Sequence, residues 1–140
     1  MDSLVKSLDD IFKKFPPLPV GAVDTLYKIT PWIALIFGIL GVFGALAGLG
    51  ILTVFAPIAV SGNVHGLGLG YIAALALGVS SLMMLIAFPS LKAGKMNGWN
   101  LLFWSEVVGV VSSLMSFSIG NIIVAIIAFY ILFAIRPRYK

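Results

Sequence analysis

The sequence predicts an all-α protein: a polytopic four-helix bundle in a membrane, preceded by an amphipathic interfacial helix at the N-terminus. Two observations carry this prediction. First, 61% of the residues are hydrophobic and only 10% are charged, whereas a soluble domain has about 25% charged residues. Second, apolar runs long enough to cross a bilayer alternate with short polar segments. Lipid is therefore the expected surroundings for most of the chain.

Residues 1–30 are expected to form a cytoplasmic amphipathic helix and a proline-rich linker. Apolar side chains in residues 2–15 recur on one face of a helix, with the charged ones opposite. These apolar residues are Leu4, Leu8, Ile11, Phe12 and Phe15. Such a helix favours the headgroup plane of a bilayer, with docking onto a partner protein as the alternative. Pro16 and Pro17 are expected to end it, since proline lacks the N–H that a helix needs.

Residues 31–140 are expected to form one transmembrane domain with four spans, with proline at the start of the first and just after the second. The run from Leu101 to Ile135 holds a single charge, and as one helix it would be roughly 52 Å long. The hydrocarbon core is only about 30 Å thick, so this run must fold back, and SFSIGN at 116–121 is its turn. The expected spans are about 31–57, 70–88, 99–118 and 121–135.

The positions of the basic residues support four spans. With that number, segments 1–30, 89–98 and 136–140 lie on one side, and together they hold all nine lysines and arginines. The positive-inside rule then places both termini in the cytoplasm, which fits a bacterial inner membrane. Expected interface anchors are Trp32, Trp99 and Tyr139 on the cytoplasmic side and Tyr71 on the other. The basic charge is therefore interpreted as a topology signal, with no nucleic-acid partner.

Small residues recur at spacings of three and four in the spans, which lets helices approach closely in lipid. Packing is the favoured interpretation, and a glycine-lined pore is the alternative. In the first span these residues are Ala34, Gly38, Gly41, Ala45 and Gly48. In the second they are Ala74, Gly78 and Ser81, and in the third Ser105, Gly109, Ser112 and Ser116.

Glu106 is the only acidic residue after Asp24, and it lies inside an apolar span. Placing a carboxylate in hydrocarbon costs roughly 2.5 kcal/mol or more, so the residue needs a role. Counting inward from the cytoplasmic boundary brings Ser81 and Tyr130 to a similar depth, as candidate hydrogen-bond partners. Three roles are open: linking helices within the bundle, taking up and releasing a proton in a transporter or channel, or contacting a partner subunit or the headgroups.

Catalytic chemistry is not expected. No second carboxylate, histidine or cysteine lies near Glu106 by depth, so an acid–base pair and a triad are both missing. His65, the one histidine, falls in an uncharged stretch at 61–70 that is expected to be a flexible loop. The GLGLG run in that stretch follows no strand, so it does not predict a nucleotide site. No enzyme activity, metal or cofactor is predicted.

Two resemblances concern the topology. Four short spans with one membrane glutamate, and the run SEVVG around Glu106, resemble small multidrug resistance transporters, but their key glutamate lies in the first span and this one lies in the third. The chain more closely resembles a group of uncharacterised four-span bacterial membrane proteins, some of which carry an automatic chromate-transporter label. The segments that carry this second resemblance are Ser7–Pro16, Pro31–Gly41, Leu101–Val107 and Phe129–Lys140. The resemblance implies the four-span topology and implies no activity.

The function expected from the sequence is non-enzymatic. A small membrane scaffold or accessory subunit would pack through its Gly, Ala and Ser faces, as a homo-oligomer or within a larger membrane complex. The alternative is a small oligomeric transporter or channel that couples Glu106 to protons.

Overall fold

The protein is all-helical in the part of the chain that its structure, a computed structural model, describes: residues 2–59, 64–115 and 117–140. Five α-helices follow one another without a strand among these residues. They are α1 (Asp2–Phe12), α2 (Val20–Ala59), α3 (Val64–Lys92), α4 (Met96–Met115) and α5 (Ile119–Ile135), with a short 3₁₀ turn at Arg136–Arg138. The all-helical fold class is therefore confirmed.

In the described part of the chain, three helical segments are long and apolar enough to cross a membrane: Val20–Val54, Gly68–Lys92 and Ile119–Arg138. They mark the chain as an integral membrane protein. Helix α4 is not among these segments, although its 20 residues would extend about 30 Å. Asn97, Asn100 and Glu106 make it more polar than its neighbours.

Helix α2 begins eleven residues before the expected start of the first span and continues through Pro31. Proline in a helix interior costs about 3 kcal/mol, so something must offset that cost. Val23, Leu26 and Tyr27, all before the proline, pack against the hydrophobic core. The Thr30 hydroxyl also donates a hydrogen bond of 2.6 Å to the Leu26 carbonyl, beside the carbonyl that Pro31 leaves without its usual donor. Tertiary packing thus extends the helix into the expected linker.

Helix α3 is also longer at both ends than expected. It begins at Val64, so most of the stretch predicted as a flexible loop is helical, and it continues past Pro89 to Lys92. Leu91, in this last turn, is only 1% exposed, and its burial holds the helix together beyond the proline. Residues 60–63, Ser116 and the side chain of His65 lie outside the described part of the chain.

Helices α2 and α3 pack antiparallel along a seam of small residues. Added side-chain atoms at Gly38 and Gly41 would meet Leu85 and Ser81 of α3, and Ala45 faces Gly78 one step further along. Ala34 and Ala45 are 2% and 5% exposed. The seam continues to Gly48 against Ala74 and ends at Leu52 against Gly70. The small residues of the first two spans therefore contact each other within the chain.

Two turns reverse the chain around α4. Gly94 has a φ of +70°, and the Gly94 and Lys95 N–H groups donate to Leu91 and Ser90, the pattern of a Schellman C-cap. An added Cβ at Gly94 would lie 2.6 Å from the Tyr27 hydroxyl, so glycine is required there for space as well as for φ. After α4, Phe117 takes a φ of +49°, and the Phe117 and Ser118 N–H groups donate to the Leu114 and Ser113 carbonyls in the same pattern.

The tightest packing lies where the α3–α4 turn and the C-terminus come together. Trp99 is fully buried there, and its indole N–H donates a hydrogen bond of 2.8 Å to the Leu132 carbonyl of α5. Phe103 and Phe133 pack against the Trp99 ring, with centroids 5.4 and 5.5 Å away. Lys140 closes this end, donating to the Gly94 carbonyl and accepting from the Met96 N–H. This region is called the closed end below.

The N-terminal segment packs onto the same closed end. The Phe12 ring stacks on Phe133 at 5.3 Å, and Asp9 forms ion pairs with Lys13 and with Arg136. The hydrogen-bonded carboxylate of Asp9 raises the pKa of Lys13. In addition, Asp24 at the start of α2 pairs with Arg138, so the two ends of the chain lie together.

We expect Gly41→Leu to destabilise the protein by about 1–3 kcal/mol, because the new side chain would force α2 and α3 apart. Even a single added carbon would lie 2.9 Å from the Ser81 Cβ. The free energy of unfolding in mixed micelles, titrated with a denaturing detergent, measures the effect. Gly50→Leu is the matched control, since nothing lies within 4 Å of an added Cβ at Gly50. Equal stability of the two variants would contradict the seam.

Candidate functional site

Glu106 lies on α4 directly after the buried residues of the closed end. Leu102 and Phe103, one turn earlier, are 8% and 1% exposed, and Ser105 is 1% exposed. Glu106 itself is half-buried. Since residues four apart share one side of a helix, Glu106 continues the side that carries Leu102. Both residues line the same cavity.

This cavity has a volume of about 330 Å³ and lies between α2 and α5, with α3 and α4 behind it. It is called the Glu106 cavity below. Thirteen described residues line it, and among these only Glu106 and Thr30 are polar. The others are Leu26, Ile33, Ala34, Phe37, Met84, Leu102, Val124, Ala128, Ile131, Leu132 and Ile135. The cavity is therefore an apolar space with one carboxylate on its wall.

The rim of the Glu106 cavity is exposed. Phe37 and Val124, on the two helices that flank it, are 61% and 65% exposed, and Ile33 is 42% exposed. In a membrane these side chains would face lipid, so the cavity would open sideways into the hydrocarbon region rather than toward water.

The predicted polar cluster of Glu106, Ser81 and Tyr130 does not form. The Ser81 hydroxyl donates to the Leu77 carbonyl of its own helix and packs against Gly41. The Tyr130 hydroxyl donates to the Pro16 carbonyl of the linker, and its ring contacts Phe15. Similar depth was the basis of the prediction, but depth alone does not fix the side of the helix to which a side chain points.

No hydrogen bond or ion pair joins the Glu106 carboxylate to any residue within 2–59, 64–115 or 117–140. A carboxylate without a partner in an apolar wall can become neutral, bind a cation or accept a hydrogen bond from another molecule. A resident metal ion fits poorly, since divalent ions take four or more ligands and the cavity wall offers only the Thr30 hydroxyl besides Glu106.

The small residues of α4 behave differently from those of α2 and α3. Ser105 is buried and donates to the Leu102 carbonyl, but an added Cβ at Gly109 would meet nothing within 4 Å. Ser112 lines a second cavity, of about 560 Å³, between α3 and α4. The outer half of α4 therefore stands away from α3 instead of packing along the expected seam.

The predicted interface aromatics have different surroundings. Trp32 is 52% exposed and contacts the Phe88 ring, and its ring centroid lies 5.5 Å from the Lys92 amine. Tyr71 is half-buried. Trp99, in contrast, is buried by the aromatic cluster, and Tyr139 is 4% exposed beside Tyr27. Both belong to the core because the C-terminal segment folds over the closed end.

Burial also raises the pKa of Tyr139, with the nearby Tyr27 as a second cause. Among the described residues the Tyr139 hydroxyl has no hydrogen-bond partner. It therefore remains a neutral phenol near physiological pH.

Sequence reasoning missed two residues of the cavity wall. Thr30 was expected to end the linker and Phe37 was given no role, yet both line the Glu106 cavity. The signal was the helical spacing of Leu26, Thr30, Ile33 and Phe37, which only becomes visible when α2 is continued through Pro31.

Comparison with known proteins does not assign the chain to a family. No family model, curated protein or solved structure matches the chain. The chemistry of the site is therefore argued from its residues and their positions.

We expect Tyr130→Phe to loosen the linker and to leave Glu106 unchanged, because the lost hydrogen bond runs to Pro16. A bond of about 1 kcal/mol corresponds to a roughly fivefold loss of hydrogen-exchange protection, measured at the Phe15 amide, which is hydrogen-bonded to Phe12. The chain contains one glutamate and no glutamine, so labelling with ¹³C-glutamate gives one side-chain carboxyl resonance. A shift of that resonance in Tyr130→Phe would contradict the separation of the two groups.

Proposed function

We propose that this chain is a small non-enzymatic membrane protein that serves as a scaffold or accessory subunit, with Glu106 at its contact surface. The observation that carries the proposal is the position of Glu106. It faces an exposed apolar cavity and has no partner among the described residues of its own chain. A carboxylate in lipid carries a large free-energy cost, and here no described residue of the chain offsets it with a hydrogen bond or an ion pair. Contact with another molecule would offset that cost.

Four spans with both ends on the cytoplasmic side form part of this proposal. Trp99 at the start of α4 contacts the end of α5, so these two helices run antiparallel. α4 connects the end of α3 to the beginning of α5, and these two points lie at opposite ends of α4. If α3 and α5 both cross the membrane, α4 must therefore cross it as well. Arg136 and Arg138 meet the N-terminal acidic residues at the closed end, near the α3–α4 turn that carries Lys92 and Lys95. The positive-inside rule favours the cytoplasm for that end, and a bacterial inner membrane fits it.

The proposal includes an interfacial position for α1. Val5, Leu8 and Phe12 pack against the core, while Leu4 and Ile11 remain 47% and 50% exposed. A helix attached where the spans leave the bilayer, with apolar side chains still uncovered, favours the headgroup region.

The contact surface differs from the one that the small residues suggested. The faces of Gly38, Gly41 and Ala45 are already used between α2 and α3. A homo-oligomer or a larger complex would therefore use the exposed rims of α2 and α5, or the outer half of α4 near Gly109.

The cavity wall also supports a role without catalysis. Beside Glu106 it offers apolar side chains and one hydroxyl, and no second acid, base or nucleophile of ordinary strength.

A proton-coupled transporter or channel is the second candidate, and the same observation favours it. A carboxyl group that faces an open cavity can exchange its proton when the cavity is hydrated, whereas a carboxyl group bonded between helices cannot do so readily. One chain encloses little space, so transport would require an oligomer.

We expect single cysteines to report the four-span topology, because the chain has no natural cysteine. Ser7→Cys and Ala93→Cys should react with a membrane-impermeant maleimide only in inside-out vesicles. Phe117→Cys, 90% exposed at the α4–α5 turn, should react only in right-side-out vesicles. Labelling of Phe117→Cys from the same side as Ala93→Cys would mean that α4 does not cross.

We expect the protein, purified from its native membrane in mild detergent, to carry a larger stoichiometric partner, seen by native mass spectrometry. Glu106→Gln should preserve this assembly, because glutamine keeps the hydrogen-bonding atoms. A homo-oligomer without a partner would contradict the accessory role. Proton flux into liposomes then tests the second candidate, which requires Glu106→Gln to abolish the flux while the fold survives.

A further inference from the structure

The Glu106 cavity has a chemical character of its own, whichever of the two functions applies. Eleven apolar residues and one hydroxyl surround one carboxylate, and no lysine, arginine or histidine lines the space. A complementary ligand has an apolar body, which contacts the apolar side chains, and one positive charge, which pairs with the carboxylate. A ligand with only one of these features would leave the other part of the wall without a favourable contact.

The size of the cavity limits the ligand further. A volume of about 330 Å³ lies at the lower end of the range for small-molecule sites. An α-helix with its side chains is about 10 Å across, so a partner helix could place only a side chain inside. The exposed rim between Phe37 and Val124 gives a small molecule direct access from the bilayer.

We propose that the Glu106 cavity binds a monovalent organic cation, with its charged head at the Glu106 carboxylate and its apolar body between α2 and α5. The attraction acts in a region of low dielectric, where an ion pair is far stronger than in water. Phe37, on the cavity wall, adds an aromatic ring that a cation can approach. The cation is either a free molecule or the amine headgroup of a lipid.

Other ligand classes fit less well. A hydrocarbon chain would leave the carboxylate without a partner, and an anion would be repelled by it. A divalent metal ion would lack ligands, since Thr30 is the only other oxygen-bearing side chain of the wall.

The proposal rests on the membrane position of α4 and on neither function. An accessory subunit could hold such a cation as a structural ligand, and a transporter could carry it. Failure of the partner search described above therefore leaves this proposal intact, and failure of cation binding leaves the accessory role intact.

The test uses the full chain in nanodiscs of phosphatidylglycerol, a lipid without an amine, with the single glutamate labelled with ¹³C. The probe is benzyltrimethylammonium, and its neutral control is neopentylbenzene, which has the same shape with carbon in place of nitrogen. We expect benzyltrimethylammonium to shift the Glu106 carboxyl resonance saturably, with half-saturation below about 1 mM. Neopentylbenzene should bind at least about tenfold more weakly.

Variants distinguish the cavity from the membrane surface. Ala128→Phe should fill the space while it keeps the charge, and we expect it to weaken binding of the cation by about tenfold. Glu106→Gln should weaken binding by at least as much, measured by equilibrium dialysis of the radiolabelled cation. Gly109→Ala, on the same helix with nothing within 4 Å of the added methyl group, should bind as the wild type does.

Three results would overturn the proposal: no saturable shift up to about 10 mM, equal shifts with the cation and its neutral analogue, or unchanged binding in Ala128→Phe. Exchange of the lipid for phosphatidylethanolamine separates the two sources of the cation. A shift of the Glu106 resonance without added probe, together with weaker probe binding, assigns the site to the lipid headgroup. Unchanged probe binding in that lipid assigns it to a free molecule.

Discussion

The burial of Trp99 is the interaction on which the rest of the arrangement depends. Its ring joins Phe103 of α4 to Phe133 of α5, and its N–H holds the Leu132 carbonyl. Without a large hydrophobic driving force between helices in lipid, close packing and buried hydrogen bonds must hold them together. Both are concentrated at the closed end. Away from that end α4 separates from α3, and α2 separates from α5, so the cavities of about 560 and 330 Å³ lie where this packing ends.

The seam between α2 and α3 is the second element of stability, and it follows a different rule. Glycine and alanine let two backbones approach, so the contact extends from Gly38 to Leu52 rather than over one cluster. α2 and α3 thus pack through small residues along much of their length, while α4 joins α5 through the aromatic cluster. This difference explains why small residues mark the first pair of helices well and the second pair poorly.

The sequence predicts local properties of the helices well and contacts between distant residues poorly. Helix type, apolar character and the small-residue spacing of α2 and α3 are local properties, and each was visible in the sequence. The predicted helix start at Pro31 and helix end at Pro89 were wrong. Packing of Leu26 against the core and burial of Leu91 outweigh the local cost of proline. The polar cluster around Glu106 was wrong for a related reason. Depth follows from counting residues, but the rotation of each helix is set by its neighbours.

Helix rotation also decides the chemistry at Glu106. Trp99 and Phe103 fix one face of α4 against α5. Glu106 lies seven residues after Trp99, about two helical turns further along the same face, and reaches the gap beside α2. Turning Glu106 toward Ser81 or Tyr130 would require α4 to rotate and would take Trp99 out of the core. The interaction that stabilises the closed end therefore holds the carboxylate at the exposed cavity. Because the Glu106 carboxylate lies at this cavity, a second molecule can reach it more readily than another side chain of the same protein can. Such a molecule would offset the free-energy cost of the charge in lipid.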